Sequence, residues 1–199
     1  SIPGSKPITA DHLMMLAPDV AGHINGGPTA LTDEGVRRLV LESSMYLQVV
    51  QAGNLKKTFE IVNMAAESGA LPRVIIGSDT PTGTGVMPLG VIKTVCEIAS
   101  MTGLSPEKTL ALAQGNNARA FNINQGVIEE GAMADLVVLD APWGSVGVNA
   151  LEAIARGDIP GISAMILDGV VRTLRSRNTP TATRMAQVEP PMEWLNDGH

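Results

Sequence analysis

The sequence predicts an α/β fold, with parallel β/α units in the first half and a smaller β-rich part after them. Three observations carry this expectation. Short apolar runs alternate with longer amphipathic segments up to about residue 124, the pattern of parallel strands joined by helices. Each apolar run ends in a short loop of Gly, Asn or Asp, on the side where parallel sheets carry their ligands. Beyond Asn124 the segments QGVIEEGAMADLVVLDAP and ISAMILDGVVRTL read as hairpin-type β segments turning at Glu-Glu-Gly and Asp-Gly.

The elements follow in order. TADHLMMLA is a predicted helix with Thr9 as its N-cap, and PDVAGHING a strand running into a glycine-rich loop. LTDEGVRRLVLES is a helix capped by Thr32, with Asp33 and Glu34 in the first turn where the dipole favours acids. MYLQVVQAG is the second strand. NLKKTFEIVNMAAESG is a helix closed by Gly69 at its C′ position. RVIIGSD is the third strand. GVMPLGVIKTVCEIASMTG is expected to be helical around an internal Pro88. SPEKTLALAQGNNARAFN is a further helix, with Ser105 as N-cap, Pro106 at N1 and Gly115 as an early stop. LEAIARGD is a short helix, and the stretch from Ser176 is Pro- and Thr-rich with at most one helical turn.

Composition narrows the function. Of 199 residues, 44% are hydrophobic and 3% aromatic, so aliphatic side chains and Met must fill the core. The scattered Met14, Met15, Met64 and Met101 read as part of it. Fourteen basic against 20 acidic residues give a net charge of −6. No basic cluster is interleaved with aromatics, which argues against a nucleic-acid partner. No apolar run reaches the roughly 18 residues of a membrane span. The single Cys96 lies in an apolar helical run, reads as a core residue, and suits a reducing, cytoplasmic compartment. The opening SIPGSKP is loop-like and reads as cut from something longer.

Two residues stand at strand ends with chemistry to offer. His23 lies in AGHINGG after the first strand, and Asp79 in GSDTPTG after the third. Parallel β/α architecture brings both to one face. Imidazole and carboxylate suit zinc, iron or another first-row metal, and the carboxylate can also serve as general base. The bland alternatives stay open, because a histidine beside glycines is often structural and an aspartate before Thr-Pro is often a turn. His12 and His199 are not at strand ends. The TPTGTG loop could cradle an anion, but it has neither P-loop nor GxGxxG spacing, so glycine at positive φ is the simpler account.

The segments GVIEEGAMADLVVLDAP and ISAMILDGVVRT resemble the stretch by which metal-dependent amidohydrolases leave their β/α barrel and enter a small β-sandwich domain. GHINGGPT resembles the sixth barrel strand of that superfamily and VIIGSDTPTGTG the eighth. HINGGPTA, GSDTPTGTG, ARGDIPGIS and SRNTP are closest to members that open a cyclic enamide. The resemblance implies strands six to eight of a (β/α)8 TIM-like barrel over residues 1–124, part of a β-sandwich domain over 125–180, and a tail over 181–199. It implies hydrolysis of a small-molecule cyclic amide by metal-activated water, with a zinc or iron centre that is binuclear in the complete protein. His23 would be a ligand of the more exposed metal. Asp79 would be a ligand of the more buried one and the catalytic proton shuttle.

The resemblance also implies a first-strand HxH pair, a bridging carboxylate, modified lysine or cysteine, and a fifth-strand histidine, none of which can be placed here. The chain is therefore expected to be a C-terminal half that is inactive alone. It is expected to need the N-terminal half from elsewhere, and to oligomerise through its open sheet edges. Substrates of imidazolonepropionase, dihydroorotase or dipeptidase type, a non-catalytic assembly fragment of the same fold, and a flavodoxin-like doubly wound domain are the competing readings. Arg37, Arg38 and Lys56 lie in helices, so no cation for a substrate carboxylate can be named.

Overall fold

A computed structural model of the chain describes residues 6–27, 30–81 and 85–189. Its first part is a three-stranded parallel sheet in the order β1 (Val20–Ala21), β2 (Tyr46–Val50), β3 (Val74–Gly77). Helices α1 (Ala10–Leu16), α2 (Asp33–Glu42) and α3 (Leu55–Ser68) belong to this part, followed by α4 (Gly90–Met101), α5 (Pro106–Ala113) and α6 (Gly115–Phe121). Alternation decides the layering. Leu47 and Val49 of β2, with Val74 and Ile76 of β3, join Leu39, Val40, Ile61, Val62, Val95 and Ile98 in one core. Full burial of each such side chain contributes about 1.5–3 kcal/mol.

The helix signals act as the sequence predicts. Thr9, Thr32 and Ser105 cap α1, α2 and α5 through their hydroxyls. Asn54 caps α3 in the same way, and Gly69 ends it at φ 77°. His12 completes the α1 cap, its Nδ1 accepting from Thr9 N at 3.2 Å, so this exposed histidine has a structural role. Cys96 is buried, donates to Asp158 O at 3.3 Å, and burial chiefly pushes its thiol up to about 12. No helix among the described residues is long and apolar enough to cross a membrane.

Several expectations are corrected. The first strand is only two residues long, because the chain turns left-handed at His23. Pro88 does not lie inside a helix; α4 starts at Gly90, after the proline has been used in the approach. Gly115 does not stop a helix. Gln114, at φ −122° and ψ −93°, breaks the run, and Gly115 opens α6. Met15 and Met101 are exposed rather than core, whereas Met14 and Met64 pack against the core. The loop expectation at 82–84 and the tail from 190, His199 included, lie outside the described residues.

The second sheet is antiparallel, in the order β4 (Leu136–Asp140), β5 (Gly161–Leu167), β6 (Val170–Thr173). β5 and β6 form the predicted hairpin, with Asp168 at φ 52° and Gly169 at φ 74°, the left-handed pair a tight turn needs. The Glu-Glu-Gly segment forms no hairpin; residues 127–131 are irregular, and β4 pairs instead with β5. Between β4 and β5 lies α7 (Ala150–Ala155), whose Ile154 enters the core of the first part. Asp140 at the end of β4 grips Arg184: Nε donates to Oδ2 at 2.8 Å and Nη2 to Oδ1 at 2.5 Å. That fork holds the Asp140 carboxyl well below the usual carboxylate range.

Candidate metal centre

The site is built where β1 and β3 end on the same side of the sheet. β2 lies between them in parallel register, Ala21 opposite Leu47 and Gly77 opposite Val50. His23 leaves β1 at φ 50° and Asp79 leaves β3 at φ 55°. A left-handed conformation costs a non-glycine residue about 1–2 kcal/mol. Paired strain of this kind at two strand ends is a feature of functional sites.

The two turns bring the side chains together. His23 Nδ1 lies 3.4 Å from Asp79 Oδ2, so the structure joins the two residues that the sequence singles out. Each is held by its loop. Thr80 Oγ1 accepts from Met87 N at 3.1 Å and donates to Gly85 O at 3.4 Å, tying together the loop that follows Asp79. On the other side, Gly27 (φ 133°) lies flat against the imidazole; a Cβ there would come within 3.4 Å of Cε1 and 3.6 Å of Nε2.

Between the ends of β1 and β3, the Gln48 side chain of β2 lies between two glycines. A Cβ on Gly77 would stand 3.0 Å from Gln48 Nε2, and one on Gly22 would stand 3.5 Å from its Oε1. Sequence reasoning passed over Gln48 and also Asn25, which is fully buried behind the His23 loop. The signal for Gln48 was present: a glycine at the end of each flanking strand, one residue before His23 and two before Asp79.

These residues fit a divalent metal. Nδ1 of His23 faces the Asp79 carboxylate, and Nε2 is buried without a hydrogen-bond partner among the described residues. A purely structural histidine normally has its nitrogens committed. Two donors sharing one tetrahedral ion at bond lengths of about 2.1 Å stand about 3.4 Å apart. The described residues contain no group of three or more His, Cys, Asp and Glu suited to an ion, so this pair alone is short of a full ligand set.

Fold and residue pair together define the class. Residues 11–176 match the amidohydrolase family, and the chain belongs to that family. Membership implies use of a divalent metal. The chain is 47% identical over 188 residues to the enamidase of Eubacterium barkeri, covering 94% of itself and 49% of that protein. A crystal structure of enamidase superposes with a TM-score of 0.91, with the same identity and coverage. The β-aspartyl dipeptidase of Fervidobacterium islandicum AW-1 superposes at 0.58 with 19% identity, covering 86% of this chain and 48% of that one, and shares the fold alone. The chain thus spans about half the length of the curated relative it matches. Its three parallel strands are part of a TIM-type barrel, in line with the expected fold class.

Proposed function

We propose that this chain supplies one half of the active site of a metal-dependent hydrolase that opens a cyclic amide. Its substrate class would be the cyclic enamides that the name of its relative denotes. The observation that carries the proposal is the 3.4 Å approach of His23 Nδ1 to Asp79 Oδ2, with the buried Nε2 left without a hydrogen-bond partner among the described residues. His23 and Asp79 are the metal ligands of the reading, with zinc and iron both compatible with imidazole and carboxylate. Residues 1–124 form the barrel part, 125–180 the β-sandwich part and 181–199 a tail. The remaining ligands come from the N-terminal half, the assembly is a homo-oligomer, and the compartment is cytoplasmic.

A bound divalent metal supplies polarisation of the amide carbonyl and activation of a water molecule. The protein's own contribution is positioning and proton transfer. The Asp79 side chain is 45% exposed at the mouth of the sheet, so substrate can reach its carboxylate. As water oxygen bonds to the carbonyl carbon, an Asp79 carboxylate oxygen accepts the proton. As the C–N bond breaks, the same oxygen returns that proton to the ring nitrogen, leaving an open-chain carboxylic acid, whose remaining proton passes to solvent, and a free nitrogen group. The loops tied by Thr80 and packed by Gly27 keep both side chains in place, which favours the reaction by orientation.

The test is a chimaera joining the N-terminal half of the Eubacterium barkeri enamidase to this chain, assayed for cyclic-enamide hydrolysis. Asp79→Asn is expected to lower turnover by about 10²-fold or more. A folded chimaera that keeps its turnover with Asp79→Asn would overturn the proposal.

A further inference from the structure

We infer that Asn25 is the positioning residue that aims His23 at Asp79. β1 contributes only two residues to the sheet, paired Val20 to Tyr46 and Ala21 to Leu47, and that ladder ends before His23. Something beyond the histidine must hold it, because its left-handed φ of 50° is not a conformation the chain keeps unaided. Asn25 meets that need. Its side chain pairs with both backbone polar groups of one residue, Nδ2 donating to Val50 O at 2.8 Å and Oδ1 accepting from Val50 N at 3.1 Å.

The same Nδ2 donates to the buried Thr58 Oγ1 at 2.8 Å. The backbone joins in: Ile24 N donates to Gln48 O at 2.9 Å and Asn54 N to Asn25 O at 2.8 Å. His23 is therefore bracketed, by the sheet on one side and by an amide clamp to β2 and α3 on the other. Gly53 is shaped by this clamp. A Cβ there would lie 2.2 Å from Asn25 Nδ2, although the Gly53 backbone is outside the left-handed region. Close approach of Asn25 requires that glycine, and turn geometry does not.

A fully buried amide carries a desolvation penalty that an apolar residue would avoid, and here its bonds go to the loop that sets the imidazole. Outer partners of this kind govern metal affinity through the ligand that they orient. The inference rests on the proposed ligand role of His23, and the experiment separates the two. Zn²⁺ is titrated into the metal-stripped chimaera of this chain with the N-terminal half of the Eubacterium barkeri enamidase, the His23 ring resonances are followed by NMR, and folding is checked by circular dichroism.

The expected result is a zinc-dependent shift in the wild type, with the midpoint weakened by Asp79→Asn. Asn25→Ala and Thr58→Val should weaken it by about tenfold or more. So should Gly53→Ala, which keeps the Asn25 chemistry but displaces its amide, whereas Thr58→Ser should match the wild type. Gly53→Ala and Thr58→Val keep the test decisive if Asn25→Ala fails to fold. A wild-type midpoint in Asn25→Ala, Gly53→Ala and Thr58→Val, with Asp79→Asn impaired, would overturn the inference and leave the ligand reading standing. A His23 ring that zinc does not move would remove the ligand reading, and this inference with it.

Discussion

At the scale of single residues, His23 and Asp79 were legible because each carries a reactive group where an apolar strand gives way to glycine-rich loop. Asn25 was not legible. Asparagine beside Gly-Gly reads as a turn former, and its partners Val50 and Thr58 lie 25 and 33 residues away. The Asp140–Arg184 fork was equally hidden, since nothing local in either segment points to the other. It carries a pH prediction. The Asp140 carboxyl sits below its unfolded value, so its contribution to stability is present above the ordinary carboxylate range. That contribution is lost as pH falls through the lower folded value. Thermal melts followed from about pH 6 to about pH 2 should show a steeper acid loss for the wild type than for Arg184→Leu. Matching curves would show that the fork contributes nothing.

At the scale of elements, caps and turns were read best because they are local. Thr9, Thr32, Ser105, Gly69 and the Asp168-Gly169 turn act where the sequence places them. Gly69→Ala is accordingly expected to lower stability by about 1 kcal/mol, measured by urea unfolding. Boundaries decided by tertiary contacts were read worst. The break at Gln114 places α6 so that Asn116 Nδ2 donates to Val74 O at 2.7 Å and Asn117 Nδ2 to Ile76 O at 3.1 Å. Two consecutive asparagines thus satisfy carbonyls of β3, a use no periodicity announces. Removing a partner from a buried polar group costs about 1–3 kcal/mol, so Asn116→Ala should lose that much in the same measurement. An unchanged midpoint would show that the Val74 carbonyl is satisfied some other way.

At the scale of the whole molecule, the parallel sheet was legible from the alternation of strands and helices, whereas the extent of the second sheet was not. β4 exposes Val137 and Val138, neighbours on opposite faces of the strand, and Ile128 and Trp143 nearby are 90% and 76% exposed. A strand with apolar residues on both faces is suited to burial between two layers, which fits a chain spanning half of its relative. The isolated chain should therefore bind a hydrophobic dye more strongly than the chimaera with the N-terminal half of enamidase. Equal binding would mean that the apolar faces are not covered by that half. On the proposed reading, His23 and Asp79 hold metal together with ligands from the other half. Metal analysis of the chimaera by plasma mass spectrometry tests it most directly. Bound zinc or iron is expected in the wild type, and its loss in the His23→Ala, Asp79→Ala double variant. Unchanged metal content in a folded double variant would contradict it.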